Sequence, residues 1–187
     1  MSVREALKAE SEGRIELAAG LYESCLQAEG LPAEYLVNLI VLYWQATDPG
    51  IAAAHQFDAF MTRAAERMRS LFAFAAQTFP ASPEVAFWKK YIDWCDFGGL
   101  FAPEECRALL AEHPEYREPV AFLYMTSRHR EHVDEALDLF LECSAKETIR
   151  AQYVASLVRP DALRGLTPED ERLRFARLQA EASKKKE

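Results

Sequence analysis

The chain has 187 residues, enough for one domain with a real hydrophobic core. Half of the residues are apolar and only seven are glycine, which argues against general disorder and against a turn-rich β-sandwich or barrel. Residues 1–158 carry 14 Lys and Arg against 24 Asp and Glu, whereas residues 159–187 carry 8 against 6. An acidic body repels phosphate backbones, so non-specific nucleic-acid binding by this body is disfavoured.

Apolar residues recur at helical spacing along most of the chain, and short turns separate the periodic segments. Gly13 and Gly30 end the first two predicted helices, and Pro32 opens the third. A fourth helix is either continuous with the next segment or jointed to it near Met68. The predicted helices cover about residues 2–12, 15–29, 32–44, 51–67, 68–78, 85–96, 102–113, 118–128, 133–144, 148–157 and 167 onward. Nine to eleven helices leave no room for a sheet.

Cysteine usage and hydropathy suggest a cytoplasmic location without membrane contact. The longest apolar run, residues 35–44, is interrupted by Asn38 and is too short to span a bilayer. The N-terminus has no charged-then-apolar signal pattern. The cysteines show no CxxC spacing and each lies on an apolar helical stripe, so we expect four reduced core residues: Cys25, Cys95, Cys106 and Cys143.

Residues 13–44 resemble a tetratricopeptide repeat unit. Gly13 occupies the turn position, Ala18 the small-residue position at a close helix approach, and Tyr22 the neighbouring aromatic position. A small residue allows two helices to approach, and a ring fills the adjoining space. Asn38-Leu39 and Tyr43 match the first helix of a following repeat.

Residues 68–114 resemble the half-a-TPR variant, with rings at Trp88, Tyr91 and Trp94 on its aromatic first helix. Residues 133–140 again resemble a tetratricopeptide second helix. These resemblances imply an all-α, right-handed solenoid of antiparallel helix hairpins. Residues 1–158 would form the repeat domain, and residues 159–187 would form a capping helix with a charged tail. The Lys184–Lys186 run is interpreted mainly as a solvated helix end.

In tetratricopeptide arrays the first helix of each pair lines a concave groove. Carried over by position, the resemblance predicts a groove that suits a basic or amphipathic peptide. The alternative is that Trp44 and Trp88 pack between neighbouring repeats. The predicted partner-binding residues are Glu34, Val37, Val41, Trp44, Gln45, Trp88, Ile92 and Asp96.

Motifs for catalysis or cofactor binding are absent from the sequence, since it contains no GxxxxGK[ST], GxGxxG, HExxH or GxSxG string. His129 and His132 are the only close histidine pair, and a metal would need Asp134 or Glu135 as a third ligand. Flanking arginines would repel a cation there. We therefore predict no enzyme, no cofactor and no metal site.

Three functions remain as hypotheses. The leading one is a protein-interaction module, either an adaptor or an assembly factor, that captures a partner helix or peptide on a concave helical surface. The second is an immunity-type inhibitor whose acidic surface occludes a basic enzyme. The third follows from the half-a-TPR resemblance: a scaffold in an RNA-processing complex, with residues 159–187 as the best candidate for direct RNA contact.

Overall fold

The computed structural model describes residues 2–48, 58–160, 163 and 168–184. Within these residues the chain forms ten α-helices and no strands, which confirms the all-helical class. The helices are α1 (Val3–Ser11), α2 (Ile15–Glu29), α3 (Ala33–Ala46), α4 (Asp58–Thr78), α5 (Pro83–Asp96), α6 (Pro103–Glu112), α7 (Pro119–Thr126), α8 (Val133–Ser144), α9 (Ile149–Leu157) and α10 (Pro168–Lys184). The arrangement as a right-handed solenoid stays a prediction.

Most predicted helix ends coincide with observed ends because local chemistry sets them. Gly13 and Gly30 both adopt positive φ, +70° and +77°, which glycine tolerates without steric cost. Ser82 accepts a hydrogen bond from the amide of Val85, and Pro83 follows as the first helical residue. At the start of α1, the Glu5 carboxylate accepts from the Ser2 amide at 2.7 Å.

The segment predicted as either one helix or two jointed helices is continuous through Met68, since α4 spans 21 residues without a break. The predicted helix start at residue 51 lies outside the described residues, as do the predicted start of the last helix at residue 167 and Lys185 and Lys186.

The chain divides into two compact units, and each is described by itself. The first contains residues 1–116 and 147–150; the second contains residues 117–146 and 151–187. The first two residues of α9, Ile149 and Arg150, therefore belong to the first unit, and the remainder of α9 belongs to the second. The division into a repeat domain over residues 1–158 and a capping segment over residues 159–187 stays a prediction.

Helix α3 forms the centre of the first unit. Every residue from Leu36 to Trp44 is buried, and α3 packs against α2, α4 and α5. A helix that is apolar on all sides has to be covered on all sides, and each fully buried large side chain contributes about 1.5–3 kcal/mol to folding. At the edge of this core, Arg67 of α4 donates from Nε to the Glu23 carboxylate of α2 at 2.8 Å.

The second unit is built on α7, whose residues from Pro119 to Tyr124 are buried. Helix α8 packs against α7 with Ala136, Leu139 and Phe140 buried, whereas Val133 at its start is 53% exposed. The ring of Phe140 also meets that of Phe175 on α10, with centroids 5.7 Å apart. This contact connects the C-terminal helix to the core of the second unit.

The expectation that all four cysteines are core residues is wrong at one position. Cys25, Cys106 and Cys143 are buried, but Cys95 is exposed. Burial on α5 ends at Ile92, and the residues from Asp93 to Asp96 are all exposed. The last turn of α5 therefore extends beyond the neighbours that cover the rest of the helix.

Candidate functional site

The eight predicted groove residues lie on α3 and α5, and these two helices pack directly against each other. The structure therefore brings the predicted residues of α3 and of α5 together, but it buries most of them in the interior. Glu34 and Asp96 are exposed and Gln45 is half-buried, while the remaining five are at most 7% exposed. These five are Val37, Val41, Trp44, Trp88 and Ile92.

The two predicted tryptophan anchors form an aromatic cluster with Tyr91. The Trp44 ring meets Trp88 and Tyr91 edge-on, with both centroid distances at 6.1 Å. The indole Nε1 of Trp44 donates a hydrogen bond to the carboxylate of Asp96. This places Trp44 and Trp88 where the packing alternative expects them. A partner could reach them only if α3 and α5 separated, and their role in binding stays a prediction.

A polar network crosses the interior of the first unit, and it was not among the features predicted from the sequence. Glu10, Asn38 and Arg150 are each at most 6% exposed. The hydroxyl of Tyr22 donates to one Glu10 carboxylate oxygen at 2.8 Å, and the amide of Ile149 donates to the other at 2.6 Å. The network thereby joins α1, α2 and the beginning of α9.

Arg150 completes this network on the side of α3. Its Nη1 lies 3.3 Å from both the Asn38 Oδ1 and the Glu34 carbonyl oxygen. Its guanidinium carbon also lies 6.0 Å from the centroid of the Trp88 ring, a distance at which a cation is attracted to an indole face. A signal existed in the sequence, because Asn38 interrupts an apolar run that is otherwise fully buried.

The electrostatics of the network follow from its burial. Loss of solvent raises the pKa of the Glu10 carboxyl, although hydrogen bonds from Ile149 and Tyr22 oppose this rise. Burial, together with the adjacent Glu10 carboxylate, also raises the pKa of Tyr22. A raised carboxyl pKa can indicate an acid catalyst. Here, however, both Glu10 oxygens are occupied by protein donors, so we interpret the network as structural.

An open cleft of about 630 Å³ lies between α4 and α5 in the first unit. Its apolar lining comes from both helices: Met68, Phe72, Ala73, Ala86, Ile92 and Phe97. Of the predicted groove residues, Ile92 is the one that lines it. The volume falls within the range of pockets that bind ligands. This cleft is the strongest candidate for a binding site in the part of the chain that the structure describes.

Charged side chains at the cleft are mostly basic, in contrast to the acidic chain as a whole. Arg69 lines it from α4, and Lys89 and Lys90 line it from α5. Lys90 forms an ion pair with Glu105 of α6, whereas Arg69 and Lys89 form none within the described residues. Among the described lining residues Asp93 is the one carboxylate. The cleft therefore presents two cations that are available to an incoming anion.

An exposed apolar turn continues one end of the cleft. Phe97, which lines the cleft, is 55% exposed, and Leu100 in the same turn is 96% exposed. Gly98 has φ of +70°, and a Cβ on Gly99 would lie 2.0 Å from the Asp93 carboxylate. The double glycine thus holds two large apolar side chains in solvent. The two apolar residues could be recognised as unusual from the sequence, since turns are usually polar.

A smaller cleft of about 360 Å³ lies beside the turn between α2 and α3. Leu31 and Pro32 line it from that turn, and Phe74 and Phe79 line it from the end of α4. Within the described part of the chain, Thr78 supplies the one polar side chain of its lining and no charged side chain contributes to it.

The His129/His132 segment, considered above for metal binding, lies in the second unit. Arg128, His129 and His132 all have positive φ, between 56° and 63°. His129 stacks on Tyr124 with ring centroids 4.7 Å apart, and the Nδ1 of His132 lies 3.8 Å from a Glu135 oxygen. Across the described residues, no three His, Cys, Asp or Glu side chains converge as a metal site would require.

Two further findings bear on function. Within the described ranges no helix combines the length and the hydropathy needed to cross a bilayer. Comparisons with models of known protein families, with curated proteins and with solved structures found no match for this chain.

Proposed function

We propose that this chain is a non-catalytic protein-interaction module that binds an amphipathic segment of a partner protein in the cleft between α4 and α5. The observation that carries the proposal is the cleft itself. It combines an apolar floor, two cations (Arg69 and Lys89) that form no ion pair with the part of the chain that the structure describes, and the exposed Phe97 at one end. Interaction surfaces combine an apolar centre with a polar rim in this way.

A protein partner fits the cleft better than a small molecule does. Exposed apolar side chains follow the cleft lining along the chain, because Phe97 lines the cleft and Leu100 in the same turn is also exposed. A small ligand would leave most of this surface in water, whereas a helix or an extended segment would cover it. Exposed apolar patches that adjoin a groove are typical of protein interfaces.

The proposal keeps the tetratricopeptide-like organisation as an expectation, including the adaptor or assembly role in the cytoplasm. Two features of the first unit support it. Helix α1 packs on α2 across a three-residue turn, and α4 packs on α5 across a four-residue turn, as in helical hairpins. All four cysteines lie in described residues and none forms a disulfide bond, which fits a reducing compartment.

Site-specific photocrosslinking in the native host tests the proposed function. p-Benzoylphenylalanine would replace Phe97 or Leu100 in turn, and Leu17 as the control. Leu17 is 46% exposed on α2 and lies outside the cleft lining. After irradiation, adducts are identified by mass spectrometry. We expect one defined protein adduct that is shared by Phe97 and Leu100 and absent at Leu17. Equal adduct patterns at Phe97 and Leu17 would overturn the proposal.

A further inference from the structure

We infer that the segment bound in the α4–α5 cleft is an acidic amphipathic helix, with its carboxylates near Arg69 and Lys89 and its apolar face on the cleft floor. This inference rests on the proposed function and adds the chemistry of the partner. It also reverses the expectation, drawn from the net charge of the chain, that the partner is basic. The local charge of the cleft, rather than the charge of the whole body, acts on a segment that lies in it.

The dimensions of the cleft suit a helix. Its α5 wall runs from Ala86 to Phe97. At about 1.5 Å per residue this wall is about 16 Å long, or about three turns of a partner helix. Met68 and Ile92, at most 3% exposed, close the cleft from beneath, and its accessible apolar floor comes from Phe72, Ala73 and Ala86, with the 55% exposed Phe97 at one end. An apolar stripe at every third or fourth position would match this floor.

The distribution of charge along α5 gives the complex a direction. Lys89 and Lys90 lie one turn before Asp93, and Phe97 lies one turn after Asp93. Lys90 is already engaged by Glu105, whose other carboxylate oxygen accepts from the Ala102 amide at 3.0 Å. On α5 itself Lys89 remains available, so partner carboxylates belong at its level of the helix, and Arg69 is a second available cation on α4. Asp93 repels them from the Phe97 end, where apolar side chains belong.

Three synthetic peptides of about 18 residues, roughly five helical turns, test the inference. They share one leucine-rich stripe and differ only in flanking residues, which are all Glu, all Gln or all Lys. Binding to the intact chain is measured by fluorescence anisotropy at about 0.05 M and about 0.5 M salt. We expect the Glu peptide to bind about ten-fold or more tightly than the Lys peptide at low salt, with Gln between them. The preference should shrink at high salt.

Single charge reversals test whether the preference for the Glu peptide arises in the cleft. Arg69→Glu and Lys89→Glu should each weaken Glu-peptide binding by about two- to five-fold, and both should leave Gln-peptide binding nearly unchanged. Arg4→Glu is the matched control, because Arg4 is an exposed cation of α1 that forms no ion pair within the described residues and lies outside the cleft. It should leave the affinity for all three peptides unchanged.

Each remaining outcome overturns the inference. These outcomes are equal binding of the three peptides, tightest binding of the Lys peptide, or no binding of any. Concentration-dependent self-association that Phe97→Asp abolishes would identify a second copy of the chain as the occupant instead. A specific protein adduct at Phe97 combined with any of the peptide failures would retain the proposed function and reject only the acidic partner.

Discussion

The first unit contains two sets of charged residues that differ in how their charges are satisfied. In the interior network, Glu10 and Arg150 are buried, and protein groups occupy the polar atoms named above. At the cleft, Arg69 and Lys89 are exposed and form no ion pair within the described residues. Charged groups inside this unit therefore stabilise its fold, whereas charged groups at its surface remain available for a partner.

Burial is the physical source of this difference. A charge removed from water requires its own hydrogen-bonding partners, and the loss of one partner leaves another polar group unsatisfied at a cost of about 1–3 kcal/mol. An exposed cation is hydrated in any case, so its substitution costs little stability. The same substitution should therefore lower the free energy of unfolding much more in the interior network than at the cleft.

Replacing one arginine of each set, Arg150 or Arg69, by methionine gives the largest expected difference in stability. Arg150→Met keeps an unbranched side chain of similar length but removes the donors to Asn38 and to the Glu34 carbonyl. We expect the free energy of unfolding to fall by about 3 kcal/mol, measured by urea denaturation. Arg69→Met should change it by less than about 0.5 kcal/mol. Equal losses for both variants would contradict the distinction between network and cleft.

The tyrosine hydroxyl that donates to Glu10 gives a smaller effect. Tyr22→Phe removes only this oxygen, and one Glu10 carboxylate oxygen loses its donor. We expect a loss of about 1–3 kcal/mol in the free energy of unfolding, measured in the same way. Tyr35→Phe is the matched control, because Tyr35 is only half-buried and its hydroxyl has no hydrogen bond within the described residues. If Tyr22→Phe behaved like Tyr35→Phe, the hydroxyl would not stabilise the network.

The sequence predicted the helices well because local chemistry determines where they begin and end. Gly13 and Gly30 act on their own backbone, and each lies at the helix end that the sequence predicted. Continuity through Met68 was left open, since no glycine or proline marks that position and only packing decides it.

The candidate site was less predictable, because it depends on contacts between residues distant in sequence. The network joins Glu10 to Ile149 across 139 positions, and no local pattern specifies that contact. The cleft likewise depends on how α4 and α5 are rotated against each other. On α5, Trp88 and Tyr91 of the aromatic stripe are buried. The stripe itself could not show that the helix extends past its neighbours, which leaves Trp94 37% exposed.

The pH dependence of stability should differ between the buried network and the exposed cleft residues. This effect is smaller than those above and changes gradually with pH. The folded-state pKa of Glu10 lies above its ordinary value of 4.5, chiefly because of burial. The folded protein therefore holds this proton more tightly than the unfolded chain does. The resulting stabilisation is complete below 4.5 and is lost as pH rises through the folded-state pKa. Glu10→Gln, which remains neutral at every pH, should gain stability relative to the wild type over that interval.

Urea denaturation of both proteins from about pH 4 to about pH 7 checks this prediction, since the interval begins near the ordinary carboxyl pKa. The informative quantity is the difference in unfolding free energy between Glu10→Gln and wild type at each pH, because other titrating groups cancel in it. Glu112→Gln, at an exposed position at the end of α6, should follow the wild-type curve. A difference that stays constant with pH would show that Glu10 ionises in the interior without penalty. The hydrogen bonds from Tyr22 and Ile149 would then fully offset its burial, and the network would tolerate a charge as readily as the cleft does.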